Sequence, residues 1–532
     1  MRTPPGRFDG YVHAHAGRLV DGTGAPLLMR GVGLGNWLLP EGYMWKFDGG
    51  PQSPREIEAL ITDLVGPDGA TNFWRNFQDN FITEADIEQI AAEGFDHVRL
   101  PINSRIVMDD DGAILARGIE LIDRTINHCR AHGLWVVLDL HGAPGGQTGT
   151  NIDDSPRSRP ELFENDTYRA QTVALWRFLA QRYATETVVA GYDLLNEPLP
   201  NQWQDLYADR LVSVYREITT AIRDVDPDHL IIYEGTHWAN NWSIFTEVWD
   251  PNSMLQFHKY WSAPDRPSIE RFLATGRRLG LPIYMGEGGE NNLDWLQTAF
   301  QLWDDLDISW NFWPWKKIDT RTSPCSIVPP AGWAAITAYA ARTGPRPTRA
   351  DADSVLERLI DAMRFKNCQY RTEITNAVLR RAPLRLPAAG FGFRGPGRSY
   401  QVNDGVPLKG FRSDDAVTLR FTAGDEPDDL PFGHNTGTPR GPHETLDAVL
   451  QPGDWLAYDL NITRAEKYDV IVVGVSAGVP ALWVDGQPVH LAGNGTSGNS
   501  WQADPVALGV GRHEIRIGAA TTQLTFEELR IH

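Results

Sequence analysis

The chain has 532 residues, of which 42% are hydrophobic, and 69 acidic against 49 basic side chains give it a formal net charge of −20. This length predicts two or three domains, and the hydrophobic content is typical of a folded protein rather than a disordered one. The acidic balance argues against nucleic acid and anionic membranes as partners, because both attract basic surfaces. The charge neither favours nor excludes an uncharged partner.

The cysteines and the N-terminal segment further restrict the class of protein. Cys129, Cys325 and Cys368 lie far apart, so they form neither a disulfide framework nor a zinc motif. The N-terminal stretch MRTPPGRFDG lacks the apolar run of a signal peptide, and no segment approaches the length of a membrane-spanning helix. Two locations are compatible with the sequence: the cytoplasm, or secretion after removal of a leader. The sequence does not determine the oligomeric state.

The first two thirds of the chain alternate between short apolar runs and amphipathic segments. Residues 17–30 predict a hairpin with its turn at Asp21–Gly24. Thr83 and Asp86 suit the start of a helix that reaches Glu93, and Gly94 and Gly133 suit helix C-termini. The eight apolar runs predicted as strands are Met29–Leu34, Asp96–Leu100, Leu134–Leu140, Val188–Leu195, Leu230–Tyr233, Met254–Phe257, Leu281–Met285 and Ile308–Phe312.

Eight strand–helix alternations predict a (β/α)8 TIM barrel, which we place at residues 1–345. A doubly wound open sheet is the alternative, but no GxGxxG motif follows the first strand. The segment from Leu34 to Thr83 is much longer than an ordinary loop between a strand and a helix, and it is rich in aromatic residues. It is predicted to be a loop that either closes one end of the barrel mouth or folds over the side of the barrel.

The pattern changes after the barrel. Residues 346–390 predict a charged helical connector followed by a linker rich in Pro and Gly. Residues 391–532 alternate polar and apolar positions with frequent turns, as in DWLAYDLNI and HEIRIGAA, which predicts an all-β sandwich.

Polar residues follow the predicted barrel strands, and in a TIM barrel such residues converge on the catalytic mouth. Glu197 and Glu287 end the fourth and seventh strands, on opposite sides of that mouth. Hydrolysis of a glycosidic bond needs two such carboxyl groups, one to protonate the leaving oxygen and one to act at the sugar carbon. Close carboxyl groups drive their pKa values apart, and the one nearer the permanent cation Arg99 stays ionised. This predicts Glu287 as the nucleophile and Glu197 as the acid/base.

Further polar residues support this pair. Tyr260 can donate a hydrogen bond to Glu287, and Asn196 can bind a sugar hydroxyl beside the acid. His141 ends the third strand and either contacts the sugar or orients another group. His258 ends the sixth strand, and Trp313 lies in the aromatic run WNFWPW that ends the eighth.

These motifs resemble glycoside hydrolase family 5 over residues 10–345. HVRLPI, LDLHGAPG, LLNEP, FHKYW and the glutamate after the seventh strand occur in the order of that family. The resemblance implies a retaining β-glycosidase of the TIM-barrel fold that needs no cofactor or metal. The implied active-site set is Arg99, His141, Asn196, Glu197, His258, Tyr260, Glu287 and Trp313, to which Trp37 is added as a further candidate for binding the sugar.

GVGLGNWLLPE and LDLHGAPGGQTG resemble the exo-β-1,3-glucanase branch of the family most. The chain departs from that branch after Glu287, where Gly-Gly-Glu-Asn-Asn replaces Trp-Ser. The substrate is therefore open: an exo-acting β-glucanase or β-glucosidase-like enzyme is expected. An endo-β-glucanase or β-mannanase of the same fold, or a non-catalytic sugar-binding barrel, is the alternative. The expected partner is a β-linked glucan or another β-glycoside.

The C-terminal segment resembles carbohydrate-binding modules of the family 6 and 35 type, in the text DWLAYDLNITRAEKYDVIVVGVS, LWVDGQPV and GRHEIRIG. Trp455, Trp483 and Trp501 are candidates for stacking on a glycan, although core packing is the commoner role of a strand tryptophan. Two metal motifs are set aside. His13-Ala14-His15 precedes the barrel strands, and Asp425–Asp429 reads as a solvated acidic loop rather than a calcium site.

Overall fold

The computed structural model describes residues 6–424, 430, 432–493 and 499–532, so the acidic stretch 425–429 lies outside the described residues. The chain forms two compact units. The first comprises the chain up to His258 with Phe272–Gly288 and Ser309–Tyr370, and the second comprises Lys259–Arg271, Gly289–Ile308 and Arg371–His532. The domain limits 1–345, 346–390 and 391–532 stay a prediction.

The chain begins with a hairpin of β1 (His13–His15) and β2 (Arg18–Val20). The predicted turn at Asp21–Gly24 is present, since Asp21 accepts hydrogen bonds from Thr23 and Ala25. The ladder predicted beyond it is reduced to an isolated bridge between Val20 and Pro26, because proline has no N–H to donate to a strand partner.

Eight parallel strands then close into a barrel, which confirms the predicted TIM-barrel class. Each predicted apolar run overlaps one of them, because a strand covered on both faces is predominantly apolar. The strands are β3 (Arg30–Gly33), β4 (His97–Asn103), β5 (Trp135–Gly142), β6 (Val189–Asp193), β7 (Leu230–Glu234), β8 (Ser253–Lys259), β9 (Ile283–Gly289) and β10 (Ser309–Trp313). Their order around the barrel is β10-β3-β4-β5-β6-β7-β8-β9.

Helices connect the strands, and several begin and end as their sequences predict. The side chain of Asp86 accepts from the backbone N–H of Thr83 at 2.9 Å, and Gly94 and Gly133 end their helices with φ of 90° and 76°. The helices are α1 (Pro54–Asn80), α2 (Glu84–Glu93), α3 (Ser104–Val107), α4 (Ala116–His132), α5 (Asp166–Tyr183), α6 (Trp203–Arg223), α7 (Arg266–Leu279), α8 (Leu293–Asp305), α9 (Trp333–Ala340), α10 (Arg349–Ala362) and α11 (Thr372–Leu379).

The prediction of a loop from Leu34 to Thr83 is wrong for the second half of this segment, which forms α1. Ser53 and Glu56 form a capping box at its start, and Gly66, with φ of 75°, kinks it before Pro67. The helix was missed in the sequence because Gly66 and Pro67 interrupt its pattern of apolar residues. Its aromatic side chains pack into one cluster, in which the ring centroids of Trp45 and Phe77 are 5.3 Å apart.

Smaller elements complete the first unit. A three-stranded sheet is formed by β11 (Lys316–Ile318), β12 (Cys325–Ile327) and β13 (Gln369–Tyr370). The 3-10 helices of the described chain are Gly42–Trp45, Asn151–Asp153, Glu161–Phe163, Phe365–Asn367 and Ala388–Gly390, the last of which belongs to the second unit.

The second unit is built on two antiparallel sheets. One has the order β16-β17-β27-β20-β24-β23, with β14 also paired to β27, and the other has the order β15-β18-β26-β21-β22; β19 and β25 form a separate pair. The strands are β14 (Leu384–Pro387), β15 (Tyr400–Gln401), β16 (Thr418–Phe421), β17 (Leu446–Leu450), β18 (Trp455–Ile462), β19 (Glu466–Tyr468), β20 (Val470–Ser476), β21 (Ala481–Val484), β22 (Gln487–Val489), β23 (Leu491–Gly493), β24 (Ser500–Ala503), β25 (Val506–Leu508), β26 (Gly511–Gly518) and β27 (Leu524–Ile531).

The buried faces of the two large sheets meet, as in a sandwich. Tyr458 of β18 and Phe526 of β27 are both fully buried, and their ring centroids are 6.1 Å apart. These all-β sheets confirm the C-terminal part of the predicted fold class. Among the helices of the described residues, none is both long and apolar enough to cross a membrane.

Candidate active site

Arg99 lies at the centre of a buried polar network inside the barrel. It stands in the middle of β4, not at the end of that strand as its apolar run suggested, and its side chain is fully buried. A buried guanidinium needs charged partners, because its desolvation is costly. Its partners are Asp139 (Nη2–Oδ2, 3.2 Å), Asp193 (Nη2–Oδ2, 2.8 Å), Glu234 (Nη2–Oε1, 3.2 Å), Glu287 (Nη1–Oε2, 2.8 Å) and the side-chain oxygen of Asn196 (2.9 Å).

Four carboxyl groups around one arginine cannot all ionise easily. Burial raises the pKa of Asp139 to about 8 and that of Asp193 well above its ordinary value, although Arg99 opposes both shifts. The pKa of Glu234 is instead lowered, because His258 and Arg99 outweigh its burial. Protons on the two aspartates therefore relieve the repulsion, while Glu234 stays ionised.

Glu287 is placed on β9 by a close fit to its neighbour strand. Gly286 precedes it, and a Cβ atom at Gly286 would lie 2.0 Å from the amide carbon of Gln256, so only glycine fits there. Burial raises the pKa of Glu287, and the charges of His258 and Arg99 oppose this shift. Arg99 donates to one carboxylate oxygen, Oε2, at 2.8 Å, which fixes the orientation of the carboxyl group.

Glu197 follows β6 in a strained backbone conformation. Its φ is 46°, in the left-handed region that costs a non-glycine residue about 1 kcal/mol. Its backbone N–H donates to Oε2 of Glu234 at 2.7 Å, which holds this turn in place. The side chain is 13% exposed, so it is the more accessible of the two predicted catalytic carboxyl groups.

His258 stands between the two glutamates. Its Nδ1 lies 2.7 Å from Oε1 of Glu197 and 4.0 Å from Oε1 of Glu287, while its Nε2 lies 3.3 Å from Oε1 of Glu234. Burial alone lowers the pKa of His258, but the surrounding carboxylates, Glu234 first, raise it well above its ordinary value. The imidazole is therefore protonated near neutral pH. Glu197, His258 and Glu287 are also close enough to surround a cation.

The separation of the two glutamates is the decisive geometry of the site. One carboxylate oxygen of Glu197, one of Glu287 and a ring nitrogen of His258 all lie within 4.8 Å of one another. Retaining glycosidases hold their carboxyl groups about 5–5.5 Å apart, whereas inverting enzymes need about 6.5–9.5 Å to admit a water. The spacing can therefore support a double displacement at a sugar carbon.

His141, Asn196 and Trp313 form one further group. Nδ1 of His141 lies 2.7 Å from Asp139, and the Asn196 amide donates to Nε2 of His141 at 3.2 Å. Burial lowers the pKa of His141 to about 4, so the ring is neutral and donates through Nδ1. The ring of Trp313 stacks on it with 5.5 Å between centroids and 7° between planes. Trp313 also packs against Gly33 of β3, where a Cβ atom would lie 2.5 Å from its ring.

Two more of the predicted residues are Trp37 and Tyr260. Trp37 is buried, and its indole N–H donates to the carbonyl of Gln78 at 3.0 Å. Tyr260 lies in the second unit, with its ring 5.5 Å from that of Trp261. The roles predicted for Trp37 and Tyr260 stay predictions.

Sequence reasoning missed four residues of the network. Asp139 and Asp193 lie inside apolar strands, Glu234 ends β7, and Gln256 lies in β8, where its amide donates to Asp193 at 3.0 Å. The signal was available, because a carboxylate within an apolar strand is unfavourable unless a cation is buried beside it. Arg99 within HVRLPI was that cation.

Comparisons with known proteins agree with this geometry. Residues 62–319 match the model of the cellulase family, glycosyl hydrolase family 5. Endoglucanase C of Acetivibrio thermocellus is 34% identical over 315 residues, which cover 46% of this chain and 88% of that protein. A beta-xylosidase of Phanerodontia chrysosporium is 29% identical over 348 residues, which cover 58% of this chain and 71% of the relative.

A third relative is a probable glucan 1,3-beta-glucosidase A of Aspergillus clavatus, 30% identical over 237 residues. The match covers 44% of this chain and 55% of that protein, so the chain spans about half the length of this relative. The family model falls on the barrel that carries the paired glutamates, and the endoglucanase match covers most of that relative. The chain belongs to glycosyl hydrolase family 5 and is an O-glycosyl hydrolase.

Proposed function

We propose that the protein is a retaining β-glycosidase in which Glu287 is the nucleophile and Glu197 the acid/base. The observation that carries this proposal is the approach of the two carboxyl groups to within 4.8 Å, with Arg99 bound to only one of them. In the first step Oε1 of Glu287 bonds to the anomeric carbon, the glycosidic bond breaks, and Glu197 gives its proton to the leaving oxygen. In the second step Glu197 takes a proton from water, which displaces Glu287 with overall retention.

His258 supports the role of Glu197 as a proton donor. Nδ1 of His258 and Oε1 of Glu197 are 2.7 Å apart, so one proton is shared between the two groups. The carboxylates around His258, Glu234 first, raise the pKa of its ring, so the ring supplies this proton at neutral pH. Departure of the leaving group then draws the shared proton through Glu197.

Arg99 supports the role of Glu287 as the nucleophile. Its Nη1 donates to Oε2 at 2.8 Å and leaves Oε1 directed toward His258. A guanidinium stays charged at all relevant pH values, so it stabilises the anionic form of Glu287 despite burial. The same cation stabilises the carboxylate when it leaves the sugar in the second step.

For the substrate we propose exo attack on a β-glucan, as in a β-glucanase or β-glucosidase-like enzyme. The Aspergillus relative is named as a glucan 1,3-beta-glucosidase. The long segment between β3 and α2 also brings Tyr43 to the barrel mouth, where its hydroxyl accepts a hydrogen bond from the indole of Trp313 at 3.4 Å. A residue from this segment at that place supports a cleft that is closed at one end.

An endo-acting β-glucanase is the second candidate, and a specific observation favours it. The relative with 88% coverage is named as an endoglucanase, and the sequence after Glu287 departs from the exo-glucanase pattern. A β-mannanase of the same fold stays an alternative. Product analysis on a long β-glucan separates the modes: early monosaccharide supports the exo proposal, whereas mixed oligosaccharides with a rapid fall in viscosity contradict it.

For the C-terminal sheets we propose a carbohydrate-binding role, following their resemblance to modules of the family 6 and 35 type. Glycan binding by this part would increase the residence of the enzyme on a polymer without changing the chemical step. Adsorption of the full chain to insoluble β-glucan tests this role, and failure to adsorb contradicts it.

A further inference from the structure

One outer sheet face of the second unit carries two half-buried tryptophans, Trp455 and Trp483. In the sheet β15-β18-β26-β21-β22, Leu456, Ile517 and Leu482 are paired across β18, β26 and β21, and all three are buried toward the other sheet. Because side chains alternate along a strand, the residues next to them point outward. The outward residues used below are Trp455 on β18, Glu514, Arg516 and Gly518 on β26, and Trp483 on β21.

Trp483 lies along the sheet surface rather than standing away from it. It pairs with Arg516, yet its six-membered ring reaches Gly518 on the same strand, where a Cβ atom would lie 3.3 Å from Cζ3. The same Cβ would lie 3.2 Å from Cβ of Trp455. A Cβ at Gly518 would also lie 2.7 Å from the carbonyl oxygen of Asp454, so only glycine lets Trp483 lie against the sheet beside Trp455.

Arg516 lies against Trp455. Its guanidinium carbon lies 4.2 Å from the ring centroid of Trp455, and its Nε donates to Glu514 at 2.6 Å. This cation–π contact holds the guanidinium beside the indole at the sheet surface. Since Glu514 balances its charge, the surface offers hydrogen-bond donors and aromatic faces but little net charge.

The third candidate tryptophan of the sandwich is different. Trp501 on β24 belongs to the other sheet, and only 6% of it is exposed. Trp455 and Trp483 are both half-buried on the outer face. The structure thus separates one tryptophan that packs in the core from two that remain accessible.

The chemistry of this surface matches a neutral sugar polymer. A sugar ring presents an apolar C–H face to an indole and hydroxyl groups at its rim to nearby donors. Trp455 and Trp483 lie on strands that flank β26, so their backbones are about 10 Å apart by ordinary strand spacing. The two side chains together therefore extend across three strands, a length that suits a glycan chain rather than one monosaccharide.

We propose that Trp455, Trp483 and Arg516 form a glycan-binding platform for a β-linked glucan chain, separate from the catalytic centre. The proposal rests on the proposed glycosidase function for the identity of the ligand. An anionic polymer is disfavoured, because Glu514 neutralises the single arginine of the platform and the whole chain carries a net charge of −20. The platform would hold polymer near the enzyme while leaving hydrolysis of small glycosides unaffected.

The test measures binding of the full chain to insoluble β-1,3-glucan in a Glu287→Gln background, which prevents turnover. Trp483→Ala and Trp455→Ala should each lower the partition constant about tenfold, whereas Trp483→Phe should retain most of the binding. Val510→Ala is the matched control, since Val510 is 71% exposed in the same unit and is not part of the platform. With Glu287 intact, all four variants should hydrolyse an aryl β-glucoside within about twofold of the parent.

A second measurement needs no substitution. Soluble β-1,3-glucan should slow the oxidation of Trp455 and Trp483 by N-bromosuccinimide several-fold, as read by peptide mass spectrometry. Unchanged partition in both alanine variants, unprotected oxidation of both tryptophans, or an equal loss of binding in Val510→Ala overturns the platform. Absence of aryl glycoside hydrolysis by the parent chain overturns the proposed function instead, so the two failures are distinguishable.

Discussion

The backbone N–H of Glu197 donates to the carboxylate of Glu234 at 2.7 Å, although Glu197 follows β6 and Glu234 ends β7. The other oxygen of Glu234 contacts Arg99 and His258, each within 3.3 Å. Glu234 thus positions three groups: the proposed acid/base Glu197, the ring of His258 that shares a proton with Glu197, and Arg99, which fixes Glu287. Glu234 touches no reacting atom in this arrangement, so it is a positioning residue.

Replacing Glu234 with Gln should lower kcat on substrates with poor leaving groups by about 10- to 100-fold. The carboxylate of Glu234 helps to raise the pKa of His258, so its loss should move the alkaline limb of the pH–rate profile to lower pH. The measurement is kcat/KM against pH for two aryl β-glucosides of different leaving-group pKa. Glu247→Gln, an exposed glutamate paired with Arg216, is the control, and an unshifted alkaline limb in Glu234→Gln would contradict the positioning role.

Arg99→Met should lower the free energy of unfolding by about 3–5 kcal/mol, because the buried carboxyl groups around Arg99 lose the guanidinium that they share. Urea unfolding at neutral pH measures this change. Arg216→Met removes an exposed arginine of the Glu247 pair and should cost less than about 1 kcal/mol. Equal effects of the two substitutions would show that the buried network does not depend on Arg99.

The buried histidine His97 should make stability depend on pH. Burial lowers its pKa to about 3, and its Nε2 forms a hydrogen bond of 2.7 Å with the hydroxyl of Tyr284. Below pH 6.5 His97 is protonated in the unfolded chain but stays neutral in the folded protein. His97 therefore lowers the free energy of unfolding progressively as the pH falls from 6.5 toward 3. At pH 5 the contribution is about 2 kcal/mol.

The measurement compares His97→Gln with the parent, because other buried groups titrate as well. The difference in unfolding free energy between pH 7 and pH 5 should be smaller by about 2 kcal/mol in the variant. His132→Gln, a partly exposed histidine of α4, is the control and should leave the difference unchanged. A parallel pH dependence of His97→Gln and the parent would contradict the account of His97.

The barrel was predictable because its strands are covered on both faces and therefore read as apolar runs between helix-ending residues such as Gly94 and Gly133. The paired glutamates were predictable because each directly follows such a run. The network behind them was not, because the partners of Arg99 come from strands far apart in sequence. Helix α1 was hidden by Gly66 and Pro67, and the bridge at Pro26 depends on a missing N–H rather than on any pattern of hydrophobicity.

The assignment of the two glutamates is the central claim, and the product of azide rescue tests it most directly. Glu197→Ala should retain turnover of aryl β-glycosides with good leaving groups, which need no proton, and azide should accelerate it by attacking the glycosyl–Glu287 intermediate. Proton NMR should then show the β-glycosyl azide, the product of retained configuration. An α-glycosyl azide from Glu197→Ala would contradict the account, because it would identify Glu197 as the nucleophile and reverse the roles of Glu197 and Glu287.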